Sequence, residues 1–147
     1  MSGIGTAVLL AALVVAAVAA WWLRAHSGSV RPVGAGKETG VASTVFDRLG
    51  VNPAEADLTV VQFSTAFCGP CRATKARLAQ LQATRPGLAV VQVDAESHLD
   101  EVRELDVRRT PTLFYLDRQG ALLGRSSGAP RPEELAALVD AHVGVAS

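Results

Sequence analysis

The chain has 147 residues, 49% of them hydrophobic, with 14 basic and 14 acidic side chains and two cysteines. That length holds one domain plus an appendage. Zero net charge with scattered basic residues leaves nothing for nucleic acid to bind, and two cysteines are too few for a disulfide scaffold.

Mean hydropathy is +0.26, high for a wholly soluble domain, and the excess lies at the N-terminus. No side chain from Met1 to Leu23 is charged, and Ile4 to Leu23 is apolar or small throughout. A helix of that length matches the hydrocarbon thickness of a bilayer. A cleaved signal peptide or a buried core helix would also be apolar. A signal peptide carries a basic n-region and a shorter apolar stretch, however, and a core helix shows a polar face. Here the run ends in Trp21-Trp22-Leu23-Arg24, the pattern of an interfacial anchor. Residues 1–25 are therefore expected to be an uncleaved single-pass anchor, touching lipid through residues 4–23. No Lys or Arg precedes the span, whereas Arg24, Arg31 and Lys37 lie just after it. The positive-inside rule then puts the C-terminal side of the span in the cytoplasm, with an extracytoplasmic domain as the alternative.

Residues 26–40 (HSGSVRPVGAGKETG) are rich in Gly, Ser, Pro and Val without periodicity and read as a flexible linker. The folded domain is expected over residues 41–147. Within it, Ser43–Leu49 reads as a short helix closed by Gly50, and Leu58–Ser64 as an apolar strand. Arg72–Ala83 places Ala73, Ala76, Leu78 and Leu81 near one helical face, and Pro86-Gly87 ends it. Leu88–Val93 is a second strand closed by Asp94. Leu99, Val102 and Leu105 share one face of a further helix. Thr112–Leu116 and Ala121–Arg125 flank the turn Asp117-Arg118-Gln119-Gly120 as a hairpin. Pro132-Glu133-Glu134 opens a last helix, with proline at its first position and acids suiting the dipole. The order βαβα, hairpin, helix predicts an α/β fold: a central mixed sheet with helices on both faces.

Both cysteines fall in Cys68-Gly69-Pro70-Cys71, between the first strand and the next helix. A thiol at a helix N-terminus faces unpaired N–H groups and the positive end of the dipole, which favour a thiolate. A second thiol one turn further in can close a disulfide. The spacing taken alone also fits an inert structural pair or half of a zinc site. Zinc requires a second ligand pair, and His26, His98 and His142 lie far apart with no metal spacing. A C-x-x-C beside a βαβ pattern reads as a redox motif.

Phe67-Cys68-Gly69-Pro70-Cys71 resembles the active-site segment of the thioredoxin family, which usually carries Trp where Phe67 stands. Thr110-Pro111-Thr112 is similar to that family's cis-proline loop. Leu116 to Gly120 resembles the hairpin turn of its membrane-anchored and extracytoplasmic members, and Gly128 stands where the family has a glycine before its last helix. The resemblance covers residues 58–143 and implies a thioredoxin-like fold whose redox centre is the Cys68–Cys71 pair, with no organic cofactor or metal. It implies that Cys68 attacks, Cys71 resolves, and Phe67, Gly69, Pro70, Thr110 and Pro111 bind substrate. The implied partners are protein disulfides and, as electron donor, a reductase or a membrane dithiol carrier. One departure concerns proton handling. The family's buried Asp and a nearby Lys are replaced by Gln62 and Val90; Gln62 cannot act as a base, so proton handling is expected to rely on water or on another carboxylate, with Asp94 as the candidate.

Overall fold

In the computed structural model, which describes residues 2–26, 28–33 and 37–144, the apolar N-terminal run is one helix, α1 (Ser2–His26). Its segment Gly5–Ala25 is long and apolar enough to cross a membrane, with a mean hydropathy of 2.3 and none of that stretch buried against the domain. A short strand comes next, β1 (Val30–Pro32), and then α2 (Lys37–Arg48). This corrects the expected linker: two parts of residues 26–40 are ordered elements, while residues 27 and 34–36 lie outside the described residues. β1 escaped notice because three residues show no alternation, and only its distant partner strand defines it.

Helix α2 also begins well before Ser43. Gly40 in its first turns weakens intrinsic helicity by about 1 kcal/mol. Burial of Ala42, Val45 and Phe46 against the sheet offsets that cost, and the Ser43 and Thr44 hydroxyls donate to the Gly40 carbonyl at 3.0 Å.

The remaining elements keep the expected order: β2 (Leu58–Ser64), α3 (Gly69–Thr84), β3 (Leu88–Asp94), α4 (Leu99–Glu104), β4 (Thr112–Asp117), β5 (Leu122–Ser127) and α5 (Pro132–His142). The five strands form one sheet in the order β1-β5-β4-β2-β3. β2 pairs parallel with β3 and antiparallel with β4, and β5 is antiparallel to both β4 and β1. The alternation of β2 divides the core. Val61 and Phe63 point to the face covered by α2 and α4, where Phe46 and Phe63 each meet the edge of the Phe114 ring. Leu58 and Val60 point to the opposite face, against Leu78 and Leu81 of α3 and Leu135 and Val139 of α5. Each such fully buried side chain contributes roughly 1.5–3 kcal/mol of transfer free energy. Both faces of β2 are therefore packed, up to the point where the chain leaves it for Cys68.

The β4–β5 turn is built as its sequence predicts. The Asp117 carboxylate accepts from the Gln119 and Ala121 N–H groups, and Gly120 takes φ of +78°, a conformation that favours glycine. Arg48 of α2 reaches Glu104 of α4 at 2.8 Å, an exposed pair that solvent and salt screen.

Candidate active site

Three residues separate the end of β2 from Cys68, which is the N-cap of α3. The Cys68 sulfur accepts from the Cys71 backbone N–H at 3.2 Å, so it takes up one of the donors that a helix start leaves unpaired. Pro70 fits this first turn because its missing N–H has no partner to lose. The Thr74 hydroxyl donates to the Pro70 carbonyl at 2.9 Å and fastens the turn. Cys68 and Cys71 are joined as a disulfide, with an S–S distance of 1.97 Å and Cα atoms 5.2 Å apart.

The rim around this disulfide is uneven. Phe67 is 98% exposed, an apolar ring standing free beside the first cysteine. Gly69 and Pro70 are exposed, and a side chain at Gly69 would meet no atom within 4 Å. Both cysteines are buried beneath this rim, Cys68 at 7% and Cys71 at 4% exposure. Facing the disulfide loop across the sheet end is the Thr110–Pro111 peptide, which is cis. Thr110 Oγ1 lies 3.4 Å from Thr65 Oγ1, so the loop after β2 and the proline loop touch directly. The Pro111 carbonyl accepts from the Gly128 N–H at 2.8 Å, and the Thr112 hydroxyl donates to the Arg109 carbonyl at 2.7 Å. Both ends of the proline loop are thereby fixed.

Beneath the helix start, Gln62 is fully buried and its Nε2 donates to the Cys71 carbonyl at 3.0 Å. Gln92, paired with Gln62 in the β2–β3 register, donates its own Nε2 to Gln62 Oε1 at 3.3 Å. Gln62 is therefore held at both ends of its amide, and an amide does not take up a proton near neutrality. Asp94 lies at the exposed end of β3. A hydrogen bond from Ser97, helped by the Glu96 N–H, holds its carboxyl below the ordinary range. Its bonds stay within that turn. The structure thus brings Phe67, Cys68, Gly69, Pro70, Cys71, Thr110, Pro111 and Gln62 together and leaves Asp94 engaged elsewhere. Among the described residues, no group of three His, Cys, Asp or Glu side chains is placed to hold a metal.

Sequence reasoning missed Thr65 and Gln92. Gln92 had a signal: LTVVQFS and LAVVQVD carry glutamine at the same place, which parallel in-register pairing makes neighbours.

The family model for thioredoxin matches residues 41–141, most of the chain. The chain belongs to the thioredoxin family. Thioredoxin H4-1 of Oryza sativa subsp. japonica is 33% identical over 89 residues, covering 58% of this chain and 67% of that protein. Thioredoxin of Bos taurus is 32% identical over 90 residues, covering 61% of this chain and 84% of that one. For thioredoxin-2 of Pyricularia oryzae the matched share falls to 47% of the relative's length. The oxidized form of mitochondrial thioredoxin 3 from Saccharomyces cerevisiae superposes with a TM-score of 0.55 at 28% identity, covering 67% of this chain and 88% of that one. Fasciola hepatica thioredoxin shares the fold, with a TM-score of 0.56 at 24% identity over 69% of this chain and 96% of that one. The thioredoxin domain carries the family's close cysteine pair as a disulfide, the chemistry of a thiol–disulfide oxidoreductase.

Proposed function

We propose that this chain is a membrane-tethered protein-disulfide reductase. The observation that carries the reading is the Cys68–Cys71 disulfide seated at the start of α3, with the cis Thr110–Pro111 loop fixed beside it. In the reduced state the Cys68 thiolate attacks one sulfur of a substrate disulfide, and the released substrate thiolate takes up a proton. The mixed disulfide is then attacked by Cys71, which gives up its proton, frees the second substrate thiol and regenerates the Cys68–Cys71 bond. Two electrons pass to the substrate, and a reductase or membrane dithiol carrier returns them. Thr110 and Pro111 present the substrate backbone, and Phe67, Gly69 and Pro70 form the surface it meets. No cofactor beyond the cysteine pair is required.

Tethering rests on α1: its length, its lack of charge, and the Trp21-Trp22-Leu23-Arg24 boundary that suits a headgroup interface. The basic residues just after it argue for a cytoplasmic thioredoxin domain. Labelling of Cys68 by a membrane-impermeant thiol reagent on intact cells would reverse that orientation in favour of an extracytoplasmic reductase. The test of the activity is reduction of insulin by the full chain in detergent micelles with a dithiol reductant. Turnover that vanishes in Cys68→Ser supports the reading. Absence of turnover above the reductant alone leaves a non-catalytic adaptor with a thioredoxin fold.

A further inference from the structure

The sheet register fixes where the chain leaves the domain for α1. Cys68 lies just past the end of β2, and at that end Phe63 pairs with Thr112, which in turn pairs with Ser127. The Ser127 carbonyl accepts from the Gly28 N–H at 2.9 Å, just before β1 begins antiparallel to β5. The exit of the chain and the dithiol therefore lie at the same end of the sheet. Three strand spacings separate β1 from β2, about 14 Å across the sheet.

The connection is also short and pinned. Between Ala25 and Gly28 the chain spans at most about 10 Å, and Arg131 Nη2 donates to the Ala25 carbonyl at 2.8 Å. Gly28 sits at φ +85°, where a Cβ would collide with the Ala129 carbonyl, so this exit admits no side chain. The side chains of residues 5–24 are exposed, so α1 runs away from the domain rather than lying against it. Around the exit, Leu23 shares a groove with Arg31, Arg108, Arg109 and Arg125 against one acid, Asp106. The arginines of this groove suit anionic headgroups, Asp94 and Glu96 stand exposed at the β3 side of the same sheet end, and Phe67 presents an apolar ring at that end.

Building on the tethered reading, we propose that the dithiol end of the domain faces the bilayer and that its redox partner is a disulfide carried at headgroup level by an integral membrane protein. Cys68 forms a mixed disulfide with one partner sulfur as the partner S–S bond breaks. The other partner sulfur leaves as a thiolate in that step; Cys71 then attacks Cys68 Sγ and displaces the partner sulfur bonded there, so two electrons and two protons move from the dithiol to the partner.

The test uses the pre-reduced full chain in vesicles of phosphatidylcholine and phosphatidylglycerol, in single turnover. The probes are one disulfide-bonded peptide displayed three ways: on a membrane-spanning anchor at headgroup level, on the same anchor raised by a helical spacer of about 40 Å, and free in solution. A headgroup-level rate at least about tenfold above the raised one is expected from the difference in effective concentration. In parallel, a fluorophore on Cys68 of Cys71→Ala should be quenched by headgroup nitroxide more strongly than one on Gln119→Cys in a Cys68→Ser/Cys71→Ser background. Reduction of all three probes without preference, or equal quenching at both ends, overturns the orientation and leaves the reductase standing. Failure to reduce any probe overturns both.

Discussion

Gln62 occupies a fully buried polar position, where its amide serves the Cys71 carbonyl on one side and Gln92 on the other. Gln62→Leu removes the buried donor to that carbonyl, while the exposed Gln92 amide turns to solvent. The expected loss is about 1–3 kcal/mol in stability, read as a lower urea midpoint at unchanged m-value. Thr59 presents the opposite case. It is 1% exposed and its hydroxyl has no hydrogen-bond partner. Thr59→Val keeps the shape and removes the orphan, so thermal unfolding should show no loss and a gain of up to about 1 kcal/mol. Tyr115 gives a pH signature. Burial, outweighing the hydrogen bond to Ser126, pushes its phenol up to about 12. Below pH 10 the phenol is protonated in both folded and unfolded chains, and stability is unaffected. Between pH 10 and about 12 the unfolded chain releases the proton while the folded one keeps it. Stability should then fall by about 1.4 kcal/mol per unit. Denaturant titrations across that range should show the slope, and Tyr115→Phe should flatten it.

Among the elements, β1 is the one whose loss has the clearest consequence. It pairs with β5 over only three residues, and two glycines make room for it. Gly124 passes so close that a Cβ would sit 2.8 Å from the Arg31 carbonyl, and Gly28 takes a left-handed conformation against Ala129. Gly124→Val should release β1 from the sheet while β2 to β5 remain paired. Hydrogen exchange should then speed up in residues 28–33, with protection of Val60, Val61 and Phe114 kept. Protection unchanged in residues 28–33 would contradict this assignment. The same strand marks the limit of what could be read from the sequence. The strands β2 to β5 and the helices α3 to α5 were legible because each carries its own apolar pattern, turn or cap. Pro132–His142 even announces its start, whereas Gly69–Thr84 begins three residues before the expected Arg72. β1 has no such local signature, and Lys37–Arg48 hides its helical start behind Gly40. At the active site, the cysteines, Phe67, Thr110 and Pro111 were visible as motifs. Thr65 acts through a contact 45 residues distant, which no local pattern records, and Gln92 through one 30 residues distant that shows only when the two strands are set side by side.

For the whole molecule, a domain pinned close to an apolar helix differs from one on a long leash. Sheet register puts the Cys68–Cys71 pair, the cis-proline loop and the chain exit at one end, and the β4–β5 hairpin with Gln119 at the other. On the proposed tethering, reach is exchanged for a fixed presentation, and the choice of a membrane-borne partner follows from the register, the short exit and the arginine groove beside it. None of this functions unless the helix start activates the first cysteine. The decisive measurement is therefore the alkylation rate of Cys68 in the full-length Cys71→Ala chain at pH 6, against a cysteine in an unstructured peptide. The account predicts a rate at least about tenfold above the peptide, because the thiolate fraction is raised at a helix N-terminus. A rate equal to the peptide's would contradict it.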